Sequence, residues 1–306
     1  MADRHDMARA RRPARANALT RRTADHRAMF RRYRELMRLY ARMDLNWLTQ
    51  DTRSCVICML SDILSMASSV SSVLLLAVRF GGVGGLSEAE TLFMLGFVTM
   101  GNGLFSIFFG NFNISNISRR IGRSQLDHMM IQPLALPMQL GTEGFAPFTY
   151  SGPLICGLGI TGWALSRLGG TLAWWAWPAM ALLLVCAVAI MLGMSYLISA
   201  TAFYRPVSCE EISTVMMDSL GALSRFPLGG VGILVQAALL SVLPAGLLGW
   251  FPALIILGKV PLMPGLLLPV AVAASACTLA ALAFERGLRH YVKVGSSRYK
   301  SIGHRC

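Results

Sequence analysis

The sequence predicts an all-α integral membrane protein with six transmembrane helices, cytoplasmic N and C termini, and an N-terminal amphipathic interfacial helix. Three observations carry this. Apolar residues are 55% of the 306 residues and charged residues 14%, against about 45–50% and 25% in soluble domains. The charges are segregated: residues 1–53 hold 14 of the 28 Lys and Arg, and 54–110 hold only Arg79. Six apolar runs approach the roughly 20 residues that a helix needs to cross the hydrocarbon layer.

Residues 1–27 are rich in Arg and Ala, with pairs at Arg11-Arg12 and Arg21-Arg22. Like charges and the lack of core residues predict a disordered basic extension. No apolar run follows closely enough for a signal peptide. Residues 28–53 read as an amphipathic helix. Phe30, Tyr33, Leu36, Met37, Tyr40, Met43 and Trp47 fall largely on one face, and Arg31, Arg34, Arg38 and Arg42 occupy much of the other. That pattern fits a helix lying in the headgroup plane or packed on a partner there.

The transmembrane domain covers 54–284, with spans expected at about 54–78, 89–110, 147–165, 173–203, 229–250 and 266–284. The first is rich in Ser, which allows close packing or a polar lining. Pro153 and four glycines predict a bent third span. Trp174, Trp175 and Trp177 mark the interfacial end of the fourth. Residues 204–228 are polar enough for a surface loop with a short amphipathic helix. The stretch 251–265, broken by Pro252, Pro261 and Pro264, reads as a re-entrant or interfacial hairpin. A basic cytoplasmic tail, 285–306, closes the chain.

Orientation follows from the cations. Twenty-five of the Lys and Arg lie in the two terminal segments and in the loops 111–146 and 204–228; Arg79, Arg167 and Lys259 lie on the other side. The richer side is cytoplasmic. The same bias, with attraction to anionic membrane lipids, accounts for the net charge of +13 without nucleic acid.

Catalytic chemistry is not visible. There is no Walker loop, because Gly81-Gly82-Val83-Gly84-Gly85 lacks the Lys-Ser/Thr pair. The five histidines sit in flanks and loops, with no nucleophile–base pair and no metal-ligand spacing. Seven cysteines, mostly in apolar runs, make no disulfide framework, and Cys55-x-x-Cys58 has no second pair. Asp62 is the acidic residue well inside a span, where a carboxyl is costly and often lines a pathway. With Ser65 and Ser69 it forms a candidate substrate pathway. The Met-rich spans read as adaptable packing.

The polar stretch Arg119–Leu140 interrupts the apolar runs. Leu126-Asp127-His128-Met129-Met130-Ile131-Gln132-Pro133-Leu134, followed by Gln139-Leu140, resembles a pattern placed after the second span of bacterial type-2 ATP-binding-cassette (ABC) exporter permeases. Ser224-Arg225-Phe226-Pro227-Leu228, Leu243-Pro244-Ala245 and Phe251-Pro252-Ala253 resemble that family's Pro signatures, and Glu285–Tyr291 its basic ending. The likeness covers about 28–295. Ser124 stands where the family pattern has Gly, and Gln132 where a basic residue is usual.

The resemblance implies a permease subunit without its own ATPase site or catalytic residues. Its partners would be a cytoplasmic ABC ATPase, which binds ATP and magnesium, and a second permease, as homodimer or paralogue heterodimer. Its place would be the bacterial inner membrane, where it would export an unidentified substrate. Leu126, Asp127, Met130, Pro133 and Leu134 would couple it to the ATPase, with Leu126, Met130 and Leu134 as apolar knobs and Asp127 capping a helix or pairing with a base. The residues leave a second reading open: an ion-coupled secondary transporter or channel that uses Asp62.

Overall fold

The computed structural model describes residues 29–110, 117–169 and 172–295. The extension expected over 1–27 and the second half of the basic tail, 296–306, lie outside the described residues; the first half of that tail is helical. Every regular element among the described residues is helical; one isolated bridge joins Val83 and Leu86.

Helix α1, 29–50, leads into α2, Thr52–Phe80, across Asp51, whose carboxylate accepts a hydrogen bond from Ser54 N. Gly81, with φ +66°, ends α2 in the left-handed region that glycine enters without strain. A tight turn follows. Ser87 and Glu90 then form a reciprocal capping box that starts α3, Glu88–Phe109. Three short helices come next: α4, Ile117–Gly122, α5, Gln125–Met130, and α6, Leu136–Thr142. Helix α7 is Gly152–Arg167, and α8 is Ala176–Ser199, extended by a 3-10 turn to Phe203. Helix α9, Pro206–Leu223, α10, Ile233–Ser241, and α11, Trp250–Ile256, precede the long α12, Leu262–Val294.

Helix α3 is the post of the bundle. All residues from Thr91 to Gly101 are buried. Lipid tails are as apolar as leucine, so close packing rather than the hydrophobic effect must hold such helices together. The sequence provides for it at Gly96, Gly103 and Gly157, where an added Cβ would run into Thr161, Leu154 and Met100 respectively. These contacts set α7 antiparallel against α3. Gly193 does the same for α8 against Ala276 of α12.

Helices α2, α10 and α12 instead present leucines and other large apolar residues outward, including Leu64, Leu75, Ile233, Leu234 and Leu267. Apolar surface of that extent marks contact with membrane or partner. Among the described residues, four helices are long and apolar enough to cross a membrane, α2, α3, α8 with its 3-10 turn, and α12; a fifth crossing counts only if the bent pair around α10 and α11 is one span. At 16 residues and about 1.5 Å per residue, α7 falls short of that length. Pro153 opens α7 in its first turn instead of bending it as expected.

Contacts sort the chain into two ends. The proximal end holds α4–α6, the 3-10 turn at Ala200–Phe203 and the last turns of α12, where Tyr204 stacks on His290 at 4.7 Å. The distal end holds the 81–86 turn. Helix α9 starts beside Tyr204, and the chain after it reaches Gly84, whose Cβ would meet Pro227 O at 3.0 Å. This differs from the surface loop expected over 204–228. Its polar residues are divided: Ser213 is buried, its hydroxyl 2.5 Å from that of Ser118, whereas Glu211 and Asp218 stay exposed.

The run expected as a fifth span, 229–250, does not pass from end to end. It is broken at Val242–Pro244, and the axes on either side differ by 74°. Both limbs return to the distal end. Gly229 touches Gly84, and Lys259 Nζ donates to Gly85 O at 2.9 Å and Glu90 Oε2 at 2.6 Å. The tip lies deep, where Gly249 has no room for a methyl between Val98 and Ser224.

Candidate functional site

The polar stretch noted in the sequence folds into a platform of three short helices at the proximal end. Its floor is apolar: Ile117, Ile121, Leu126, Met129 and Leu140 form one cluster with Phe203, Cys209 and Tyr291. Leu126 is fully buried there. A side chain so placed cannot enter a partner's groove, so the expected knob at Leu126 is corrected to an anchor. The exposed apolar residues are Ile131, 81% accessible, and Met130, 40%. Asp127, His128, Gln132 and Pro133 surround them on the surface, and Leu134 is half-buried.

Polar bonds fix the frame. Arg120, buried at the side chain, donates to Glu143 Oε2 at 2.6 Å and approaches Met129 Sδ at 2.7 Å. Gln139 Nε2 donates to the carbonyls of Met129, 3.0 Å, and Leu134, 2.8 Å. It thereby ties α6 to the end of α5 and to the Pro133 turn. A buried guanidinium without its carboxylate would be strongly destabilising, so Glu143 is integral to the platform.

Helix α5 begins at an unusual backbone. Ser124, its N-cap, has φ +58°, the left-handed region. That is the position where the resemblance expects Gly, which takes this conformation readily. Asp127 is therefore not the cap. It lies in the first turn of α5, where the helix dipole favours a carboxylate, and it forms no ion pair with any described residue.

Helix α1 is clamped onto the platform. Asp44 accepts from Phe148 N at 2.7 Å and Thr149 N at 3.2 Å, and also from the Thr149 hydroxyl. Tyr33 OH reaches Gly141 O at 3.4 Å. Burial, and after it the charge of Glu143, push the Tyr40 phenol above its ordinary range, with Arg120 opposing. The helix thus has three faces. Tyr33, Met37, Tyr40 and Asp44 meet the protein, Met29, Leu39, Met43 and Trp47 stay exposed, and Arg31, Arg34, Arg38 and Arg42 form the basic side. A cleft of about 520 Å³ between α1 and Leu134 is lined by Arg32, Arg38, Leu39 and Arg42.

The pathway residues lie on α2. Asp62 is half-buried, one residue from Ile63, which faces Gly152 at the start of α7. Burial, and after it the charge of Asp62, push the Tyr150 phenol up, so Asp62 lies within electrostatic reach of the α6–α7 link. Ser65 is exposed; the side chain of Ser69 lies outside the described residues. Sequence reasoning missed Ile131, Arg120 and Glu143 as platform residues. It also set Arg225 in a proximal loop, whereas its guanidinium approaches Met66 Sδ, at the middle of α2, at 3.8 Å.

A family model described as "ABC-2 family transporter protein" matches residues 63–295. The chain belongs to this family. Neither a curated protein nor a solved structure gives a significant match. Members of the family are membrane subunits of ABC transporters, so this ABC-2 permease is a multi-pass membrane protein whose platform lies inside the matched region. No group of three or more metal-ligating side chains occurs among the described residues.

Proposed function

We propose that this permease is the membrane subunit of an ATP-driven exporter in the bacterial cytoplasmic membrane, with the platform as its docking face for a separate ATPase. The supporting observation is the exposed Asp127–Pro133 surface, held by a buried frame at the end where the basic residues gather. Ile131 and Met130 supply the apolar contact, and Asp127 and Pro133 flank it. Leu126 and Leu134 position the segment from beneath. The ATPase supplies ATP, magnesium and the hydrolytic site.

In this reading the proximal end is cytoplasmic, with both termini. Six crossings are made by α2, α3, α8, α12, α9 with the stretch after it, and α7 extended by the turns on either side of it. The α10–α11 pair dips in from outside and returns. Asp62 and Ser65 face a path completed by a second permease, identical or paralogous. Closure of the ATPases pushes the platform. Because Asp44, Tyr33 and Tyr40 join α1 to the same frame, the motion reaches α2 and its pathway face.

The test is co-purification of the tagged full-length protein from its native membrane in mild detergent. A Walker-motif ATPase is expected with the native chain and is expected to be lost with Ile131→Asp. Repeated isolation without any ATPase contradicts the reading. Asp62 is half-buried and forms no ion pair with any described residue, which keeps the ion-coupled alternative testable. Transport driven by an ion gradient without ATP, and abolished by Asp62→Asn, would establish that alternative instead.

A further inference from the structure

Two grooves flank α6 and share Pro137. One is apolar, about 500 Å³, and runs between α6, α8 and α12; Leu136, Leu140, Leu192, Tyr196, Ala281 and Phe284 line it. Along α12 it extends from Cys277 to Leu288, a rise of about 16 Å, parallel to the helix and so to the direction of a lipid chain. Glu285 lies at its rim, exposed and paired with Arg289 in a solvent-exposed contact. The second groove, about 860 Å³, lies between α6 and α1 and contains Arg31 and Arg34, with Phe30, Tyr33 and Met138. Arg34 is exposed and forms no ion pair with a described residue; Arg31 meets Glu35 at 3.3 Å in a solvent-exposed pair that is worth little.

We infer that the two grooves together hold one anionic phospholipid of the surrounding bilayer, its acyl chain along α12 and its phosphate against Arg31 and Arg34. The apolar groove rejects water and accepts a chain. The second groove adjoins it at Pro137 and carries its two arginines beside an apolar lining, on the helix whose exposed Met29, Leu39 and Met43 suit the headgroup layer. Anionic headgroups draw clustered arginines at such a surface, and guanidinium binds phosphate with two parallel hydrogen bonds. A lipid so placed braces α6, and through Gln139 it braces the Met129 and Leu134 carbonyls under the docking face. The site requires membrane embedding alone, so it stands or fails independently of the ATPase reading.

The experiment is native mass spectrometry of the full-length protein, delipidated in mild detergent and titrated with phosphatidylglycerol or phosphatidylcholine of identical chains. One lipid should be retained, with phosphatidylglycerol preferred by about tenfold, the scale of one charge-assisted hydrogen bond. The double variant Arg31→Gln/Arg34→Gln, on an exposed face that tolerates it, should lose the preference. Ala281→Trp, also exposed, should remove retention of both lipids. Equal retention of the two lipids by the native chain, an unchanged preference in the arginine variant, or unchanged retention in Ala281→Trp would each overturn the proposal.

Discussion

The two ends of the molecule are held by different means. At the proximal end side chains do the holding: Arg120 to Glu143, Gln139 to two carbonyls, Asp44 to the α6–α7 link. At the distal end backbones meet directly, Gly84 against Pro227 and Gly229, with Lys259 closing the exit of the α10–α11 pair. The difference matters for function. A platform built on side chains keeps its outer surface free for a partner and moves as one piece. A backbone seam has little room to shift and serves as a stop.

The largest test of this contrast is Leu126→Asp. It puts a charge into the closed proximal cluster, and an unpaired buried charge costs about 3–5 kcal/mol. The variant should lose its thermal transition in detergent, whereas Ile131→Asp, on the surface, should melt like the native chain. Equal damage from both would mean that the two residues share one environment.

Next in size is Gly84→Ala. Its φ of +60° costs an alanine about 1–2 kcal/mol, and the added Cβ crowds Pro227 O at 3.0 Å. A drop in melting temperature is expected with docking of an ATPase unchanged, because the seam lies at the far end. Loss of docking would couple the two ends in a way that the contrast denies.

The smallest effect should come from Ser124→Gly. Relief of the left-handed strain is partly offset by the entropy that glycine loses on folding. The net should be a gain of about 0.5–1 kcal/mol, read as a higher melting temperature. A loss would mean that contacts of the buried serine side chain outweigh its backbone.

What the sequence disclosed, and what it did not, follows the same division. Long apolar runs gave α3 and α8 within a few residues, because no other element fits such lengths; α12 continues ten residues beyond the apolar run, to Val294, through residues expected as a tail. Helix α9 reads as a surface helix because it is polar, and its Glu211 and Asp218 are exposed, but Ser213 on its other side is buried. Periodicity cannot tell a face wetted by solvent from one satisfied by Ser118. The α10–α11 pair is as apolar as a span, and its return is set by the distant contacts of Gly84 and Lys259. The platform was recognised from Leu126–Leu134, but a helix of six residues carries too little period to say which apolar side chain points in. Leu126, expected as a knob, is buried on that account, and Ile131, given no role, is the exposed one.

The central claim is that the Asp127–Pro133 face meets an ATPase. Its most direct measurement is photo-crosslinking in native membranes from a reactive residue in place of Ile131, compared with one in place of Leu234, exposed on α10. The account predicts a crosslink to a Walker-motif ATPase from position 131 and none from position 234. A crosslink from 234 to that ATPase, or none from 131 while the ATPase is present, would contradict it.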